Sequence, residues 1–216
     1  MLVSNAKIVM LDYILKGIFI GLLVSVPVGP IGVLCIQRTL NKGKWYGIVS
    51  GLGATTSDLL YALIAAFCLS FVESFIEEYK LIIQLIASLV VLLFGVYIFK
   101  SNPVRQLSVQ KKGKSSYFNA YISAFALCVT NPLILFLFIG FFARFSFFAP
   151  HDSFEYIIIG LFSILLGAFS WWLILNSVVD IFRKKINIRG LWLVNKIAGT
   201  LIIILSLVGV FYTLLS

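Results

Sequence analysis

Six long apolar stretches separated by short polar segments run along the chain, at about 13–37, 46–72, 81–99, 118–142, 154–179 and 193–215. Each is close to or above the ~20 residues a helix needs to cross the ~30 Å hydrocarbon core of a bilayer. The pattern predicts an all-α polytopic membrane protein of six transmembrane helices. Two of the six are interrupted. The first carries Pro27-Val28-Gly29-Pro30, and the fourth carries Thr130-Asn131-Pro132. A proline within a helix removes a backbone donor and clashes with the carbonyl four residues earlier. At membrane depth a freed backbone group is tolerated only where protein buries it or where it lines a cavity. The two breaks therefore predict a path through the membrane rather than an anchor.

Composition supports this reading. The 216 residues are 61% hydrophobic and 12% charged, and mean hydropathy is +1.08. Soluble domains run near 45–50% apolar and about 25% charged. No polar stretch is long enough for a soluble domain, so a single transmembrane domain over 1–216 is expected. The run after Lys7 is too long for a signal-peptide core and lacks a clean cleavage site, which predicts a mature span.

Charge fixes an expected orientation. Arg38, Lys42 and Lys44 fall between spans one and two. Lys100, Arg105, Lys111, Lys112 and Lys114 fall between three and four. Arg183, Lys184, Lys185, Arg189 and Lys196 fall between five and six, with Asp180. The remaining connections are acidic or mixed, with Glu73, Glu77, Glu78 and Lys80 in one and Arg144, Asp152 and Glu155 in the other. Basic loops face the cytoplasm, so both termini are expected outside. The net charge of +9 is spread over these connections, and no basic domain with interleaved aromatics marks a nucleic-acid binder. The loop 100–116 reads first as an orienting loop, and contact with anionic lipid heads is the lesser reading.

The chain divides into two weakly similar halves, about 13–99 and 117–215. Each opens on a broken span, and each closes on a similar string, Phe94-Gly95-Val96-Tyr97 or Val208-Gly209-Val210-Phe211. Three spans per half make the second half enter the membrane from the opposite side. Interrupted spans at matching places in such inverted repeats point to a binding site near the midplane.

Asp58 is the one acid deep within a span by this reading. Intramembrane acids usually face a cavity and mark an ion or proton route. A structural role, accepting a hydrogen bond from Thr55 or from the broken first span, is the alternative. Thr55 and Thr56 offer hydroxyls either to a ligand or to their own helix. Gly47 and Gly51, four apart, suit close helix packing. Pro27, Gly29 and Pro30 free backbone groups, and Asn131 before Pro132 adds an amide that donates and accepts. Together they suit a zwitterion. Trp171 and Trp172 read as interfacial belt residues, and Asn176 as an interhelical hydrogen-bonding group. Cys35, Cys68 and Cys128 read as small apolar fillers rather than a disulfide framework. His151 lacks companions for a metal site. The absence of a phosphate-binding glycine loop argues against direct ATP drive.

Several of these stretches together resemble the lysine-exporter family, which includes the homoserine and threonine effluxers (LysE-type translocators). They are Gly21 with Pro27-x-Gly29-Pro30, then Gly43, Gly47 and Gly51, then Gly53-x-x-x-Ser57-Asp58-Leu59-Leu60-Tyr61-Ala62. Gly95-Val96-Tyr97, Thr130-Asn131-Pro132, Trp171-Trp172 and Asn195-x-x-x-Gly199 extend the likeness along the chain. The resemblance implies a small six-span exporter of amino acids or their derivatives in the plasma or inner membrane of a prokaryote. It implies drive by the proton gradient, no catalysis and no cofactor. It places Pro27, Gly29, Pro30, Asp58, Asn131 and Pro132 on the translocation route, with Asp58 the coupling residue. The chain departs from the family at Ser57, where glycine is frequent, and at Leu133, where lysine is frequent. The partners to expect are a small amino-acid-like substrate and membrane lipids, with a homo-oligomer as an option and nucleic acid excluded. A six-span thiol-electron carrier is the second reading, weakened because Cys35 and Cys128 do not occupy equivalent places beside the breaks. A membrane scaffold is the third.

Overall fold

A computed structural model describes residues 2–27, 29–71, 79–100, 116–131, 133–145, 147, 154–182 and 188–215. Pro132, His151 and nearly all of the loop 100–116 lie outside the described residues. Eight helices occupy the described chain: α1 Leu2–Ser25, α2 Pro30–Lys42, α3 Lys44–Phe71, α4 Lys80–Lys100, α5 Tyr117–Val129, α6 Leu133–Phe145, α7 Phe154–Ile181 and α8 Ile188–Leu215.

The elements follow from local chemistry. α1 ends at Ser25, two residues before Pro27, and a residue preceding proline is driven away from helical geometry. α2 starts on Pro30, whose fixed φ and missing N–H suit the first helical position, and Gly29 before it is extended at φ −87° and ψ −164°. Gly43 turns α2 into α3 at φ 101°, a left-handed conformation that glycine adopts without a steric penalty. Ser116 caps α5, accepting from the Asn119 N–H at 3.2 Å. Asn131 plays the same part for α6, where its amide oxygen accepts from the Leu133 N–H at 3.3 Å.

Among the described residues four apolar stretches are long enough to cross a bilayer: Lys7–Ser25, Lys44–Cys68, Leu81–Lys100 and Phe154–Ile181. The pair α5 and α6, bent by 68°, makes a fifth if taken as one span, and α8 carries the shorter apolar stretch Asn195–Phe211. Only 28% of the apolar stretch is buried in α1, and the same share in α4. The exposed remainder, with residues such as Leu15, Phe19, Leu89 and Leu93, is far more apolar surface than a protein exposes to water.

Close approaches set the packing. α1 and α7 run side by side in the same direction. Tyr13 stacks on Tyr156 at 5.5 Å between ring centroids, and Gly21 and Gly167 leave no room for a Cβ against the backbone of the other helix. α3 runs antiparallel to α7, with Gly47 against Asn176 and Gly51 against Trp172. α3 lies parallel to α5, where Gly53 meets Tyr121. α4 and α8 pair antiparallel, with Gly95 against Ile203 and Gly199 against Phe99.

Two cores result. One gathers Ile20, Ala62, Ala65, Leu137, Phe138, Phe141, Phe142 and Ile164. The other gathers Val33, Cys35, Ile36, Ala54, Cys128, Trp172 and Leu175.

The structure corrects three sequence expectations. Arg38, expected in a loop, lies within α2 and is buried at 6% exposure. It is held because α2 continues to Lys42 and turns its Arg38 side toward α3 and α5. Trp172, expected in an interfacial belt, is 2% exposed and packs on Gly51. The missing side chain at Gly51 makes the space that the indole fills. Arg144, expected in a connection, sits in the last turn of α6, and its Nη1 donates to Thr213 Oγ1 at 3.2 Å.

Candidate translocation site

The helix pairings put both breaks at one depth. α1 is level with Gly160 and Ser163 of α7 at Gly17, and with Ala168 at Gly21, so Ser25 falls opposite the middle of α7. α3 reaches Trp172 at Gly51, so Asp58, two turns further on, comes to the same level. In the other break, Tyr61 donates its hydroxyl to the Val129 carbonyl at 2.6 Å, which sets the end of α5 beside the centre of α3. The breaks thus face each other in the middle of the bundle, between its two cores.

A cavity of about 330 Å³ opens between them. Pro27, Gly29, Pro30 and Ile31 line it from one break, and Cys128, Thr130, Asn131 and Leu133 from the other. α4 contributes Phe94, Tyr97 and Ile98, and α8 contributes Asn195. A Cβ built on Gly29 would meet nothing within 4 Å, so that glycine borders open space. Two helices end at this cavity and two begin there. A helix start carries partial positive charge and a helix end partial negative charge. Both kinds of backbone pole therefore border one small space.

Asp58 stands beside the cavity without lining it. It is buried at 4% exposure, and Ser25 Oγ donates to its Oδ2 at 3.3 Å. The partner is thus on the broken first span rather than on Thr55. The Thr55 hydroxyl is buried and donates to its own helix at Gly51 O over 2.9 Å, and Thr55 does not border the cavity. Of the residues singled out from sequence, Pro27, Gly29, Pro30 and Asn131 come together on the cavity wall, and Asp58 and Thr55 lie behind it.

Sequence reasoning missed two contributions. The first is the wall supplied by Phe94, Tyr97, Ile98 and Asn195. The second is the anchorage of Arg38. Its Nη1 donates to Ser50 Oγ and to the Ala120 carbonyl, each at 2.7 Å. Its Nη2 donates to Ser123 Oγ at 2.7 Å. One guanidinium thereby ties α2 to α3 and α5 on the side of the breaks nearer Lys42. Close by, Thr39 Oγ1 donates to Asn176 Oδ1, and Asn176 Nδ2 to the Trp172 carbonyl, both over 2.7 Å. Asn176 is fully buried and serves as the interhelical link its sequence position suggested. Cys35 and Cys128 are free and buried, and both sit in the core around Trp172. Among the described residues no cluster of His, Cys, Asp and Glu is suited to a metal ion.

Membrane-length helices, two broken segments and a central cavity define a membrane translocator of small molecules. The family model for LysE type translocators matches residues 22–212, and the chain belongs to that family, whose members are multi-pass transporters rather than enzymes. It is 27% identical over 196 residues to "Putative amino acid efflux protein YcgF" of Bacillus subtilis (strain 168), covering 90% of this chain and 93% of that protein. No solved structure matches the chain.

Proposed function

We propose that this chain exports an amino acid or a closely related zwitterion across the cell membrane, driven by the proton gradient, with Asp58 as the coupling residue. The observation that carries the proposal is the cavity bounded by both broken segments. A carboxylate suits the helix starts at Gly29–Ile31 and Asn131–Leu133, and an ammonium suits the carbonyl ends of α1 and α5. Pro132 belongs with Asn131 on this route. Export as the direction rests on the efflux described for the Bacillus subtilis relative.

In this reading the whole chain is one transmembrane domain of six spans. The later turns of α1 join α2 as the first, α3 and α4 follow, α5 with α6 forms the fourth, and α7 and α8 complete it. The pairings support an inverted repeat. Exchanging the halves maps the contact of α1 with α7 onto that of α5 with α3, and leaves α4 against α8 and α3 against α7 unchanged. Alternating access then comes from rocking one half on the other about the cavity. The basic connections put the ends of α2, α4 and α7 on the cytoplasmic side and both termini outside.

Asp58 takes a proton from outside and gives it up inside, and Ser25 reports its charge to the break at the end of α1. The test compares amino acids inside and outside cells with and without the protein. Intracellular retention of one amino acid in its absence is the expected result, and unchanged pools under amino-acid loading would contradict export.

A further inference from the structure

The cavity wall also carries information about the substrate's side chain. Among the described residues lining it there is no Asp, Glu, Lys, Arg or His. Its polar groups are few, and they cluster at the breaks and on α4 and α8: Tyr97, Thr130, Asn131 and Asn195. Two of these have their oxygens engaged locally, Thr130 donating to the Leu127 carbonyl at 3.0 Å and Asn131 capping α6 at 3.3 Å. Around the second break the wall is hydrocarbon from Leu127 of α5 and Leu133, Ile134 and Leu137 of α6. Asp58, the acid nearest this region, is behind the wall with Ser25 as its partner.

Resting on the export reading above, we propose that the substrate is a neutral amino acid with an apolar side chain, and that Leu133 is a residue selecting it. The backbone poles at the breaks hold the ammonium and carboxylate common to all amino acids. The side chain then meets Leu127, Leu133, Ile134 and Leu137. A second ammonium or carboxylate placed against that surface would lose its water and find no opposite charge, a large penalty. Basic and acidic amino acids are thereby rejected. A smaller apolar side chain leaves part of the surface uncovered, and one missing methylene in an apolar pocket already costs roughly tenfold in discrimination. Leu133 is suited to selection because it opens α6 beside the cavity and is 44% exposed, so changing it leaves both cores intact.

The test uses the full chain in proteoliposomes loaded in parallel with labelled leucine, alanine, lysine or glutamate, under an imposed pH gradient. Leucine should leave at least about tenfold faster than alanine, with lysine and glutamate at the rate of protein-free vesicles. Leu133→Glu should slow leucine and admit lysine. Leu133→Ala, the milder change, should narrow the gap between leucine and alanine. Folding of each variant is checked by its elution as a single species in detergent. Lysine or glutamate leaving as fast as leucine would overturn the proposed class while upholding export. Failure of all four to leave faster than from protein-free vesicles would overturn the export reading together with the class. A folded Leu133→Ala with the wild-type ratio of leucine to alanine would remove Leu133 as a selecting residue.

Discussion

The hydroxyl of Ser25, at the last turn of α1, donates to Oδ2 of Asp58 in the middle of α3 across 3.3 Å. This bond ties the buried acid to the helix that breaks, and in the proposed function it carries the charge state of Asp58 to that break. A hydrogen bond to a charged group contributes about 1.5–3 kcal/mol, and a long one sits toward the low end. Ser25→Ala should slow proton-driven efflux by roughly tenfold, the equivalent of about 1.4 kcal/mol, and Ser25→Thr should restore most of it. Vesicle efflux rates check this, and a Ser25→Ala rate equal to wild type would separate the hydroxyl from coupling.

Arg38 should matter first to stability. Its three acceptors are Ser50, Ala120 and Ser123; both serine hydroxyls keep bonds to their own helices, so the loss is that of hydrogen bonds from a charged donor, each worth about 1.5–3 kcal/mol. Arg38→Met should lower the thermal midpoint in detergent by several degrees, at about 2–4 °C per kcal/mol for a chain of this length. Arg38→Lys should recover little, because a point-like ammonium cannot span the fork. A midpoint unchanged in Arg38→Met would show that the three contacts contribute nothing net.

Gly29 and Gly21 should respond in opposite ways. A Cβ at Gly21 would collide with the α7 backbone at Ile164, whereas one at Gly29 meets open space. Overpacking against backbone typically costs about 1–3 kcal/mol. Gly21→Ala should destabilise the fold on that scale. Gly29→Ala should leave the midpoint alone and change transport, because it narrows the cavity. Measuring midpoint and efflux for both variants decides the point, and a Gly29→Ala protein with normal efflux would move the route away from the first break.

Cys35→Ser with Cys128→Ser should retain efflux. Reactive thiols need access and a stabilised thiolate, and these two are buried at 0% and 3% exposure in an apolar core. Loss of efflux in a correctly folded double variant would revive thiol chemistry as part of the function.

The helices, the two breaks and the buried acid were legible from sequence because each violates or satisfies a strong rule. A span needs length and apolarity, a proline breaks it, and a carboxylate stands out within it. Arg38 was not legible as a buried group. It lies beside Lys42 and Lys44 and reads as one more charge on a cytoplasmic loop. The available signal was its place three residues after Cys35, on the face of α2 that also carries Gly32, Val33 and Thr39. Trp172 was misread for a similar reason. A tryptophan near a span end suits the interface, and only the gap at Gly51 in another helix shows where the indole goes. Phe94, Tyr97, Ile98 and Asn195 complete the cavity through tertiary packing of α4 on α8, for which periodicity along one segment carries no sign.

In the proposed function Asp58 couples proton entry to amino-acid export. The most direct test of that coupling is the rate of amino-acid efflux from proteoliposomes with and without an imposed pH gradient, for the wild-type chain, Asp58→Asn and Asp58→Glu. The wild type and Asp58→Glu should speed up when the gradient is applied. Asp58→Asn should show the same slow rate in both conditions. An Asp58→Asn protein that accelerates with the gradient as the wild type does would contradict the account.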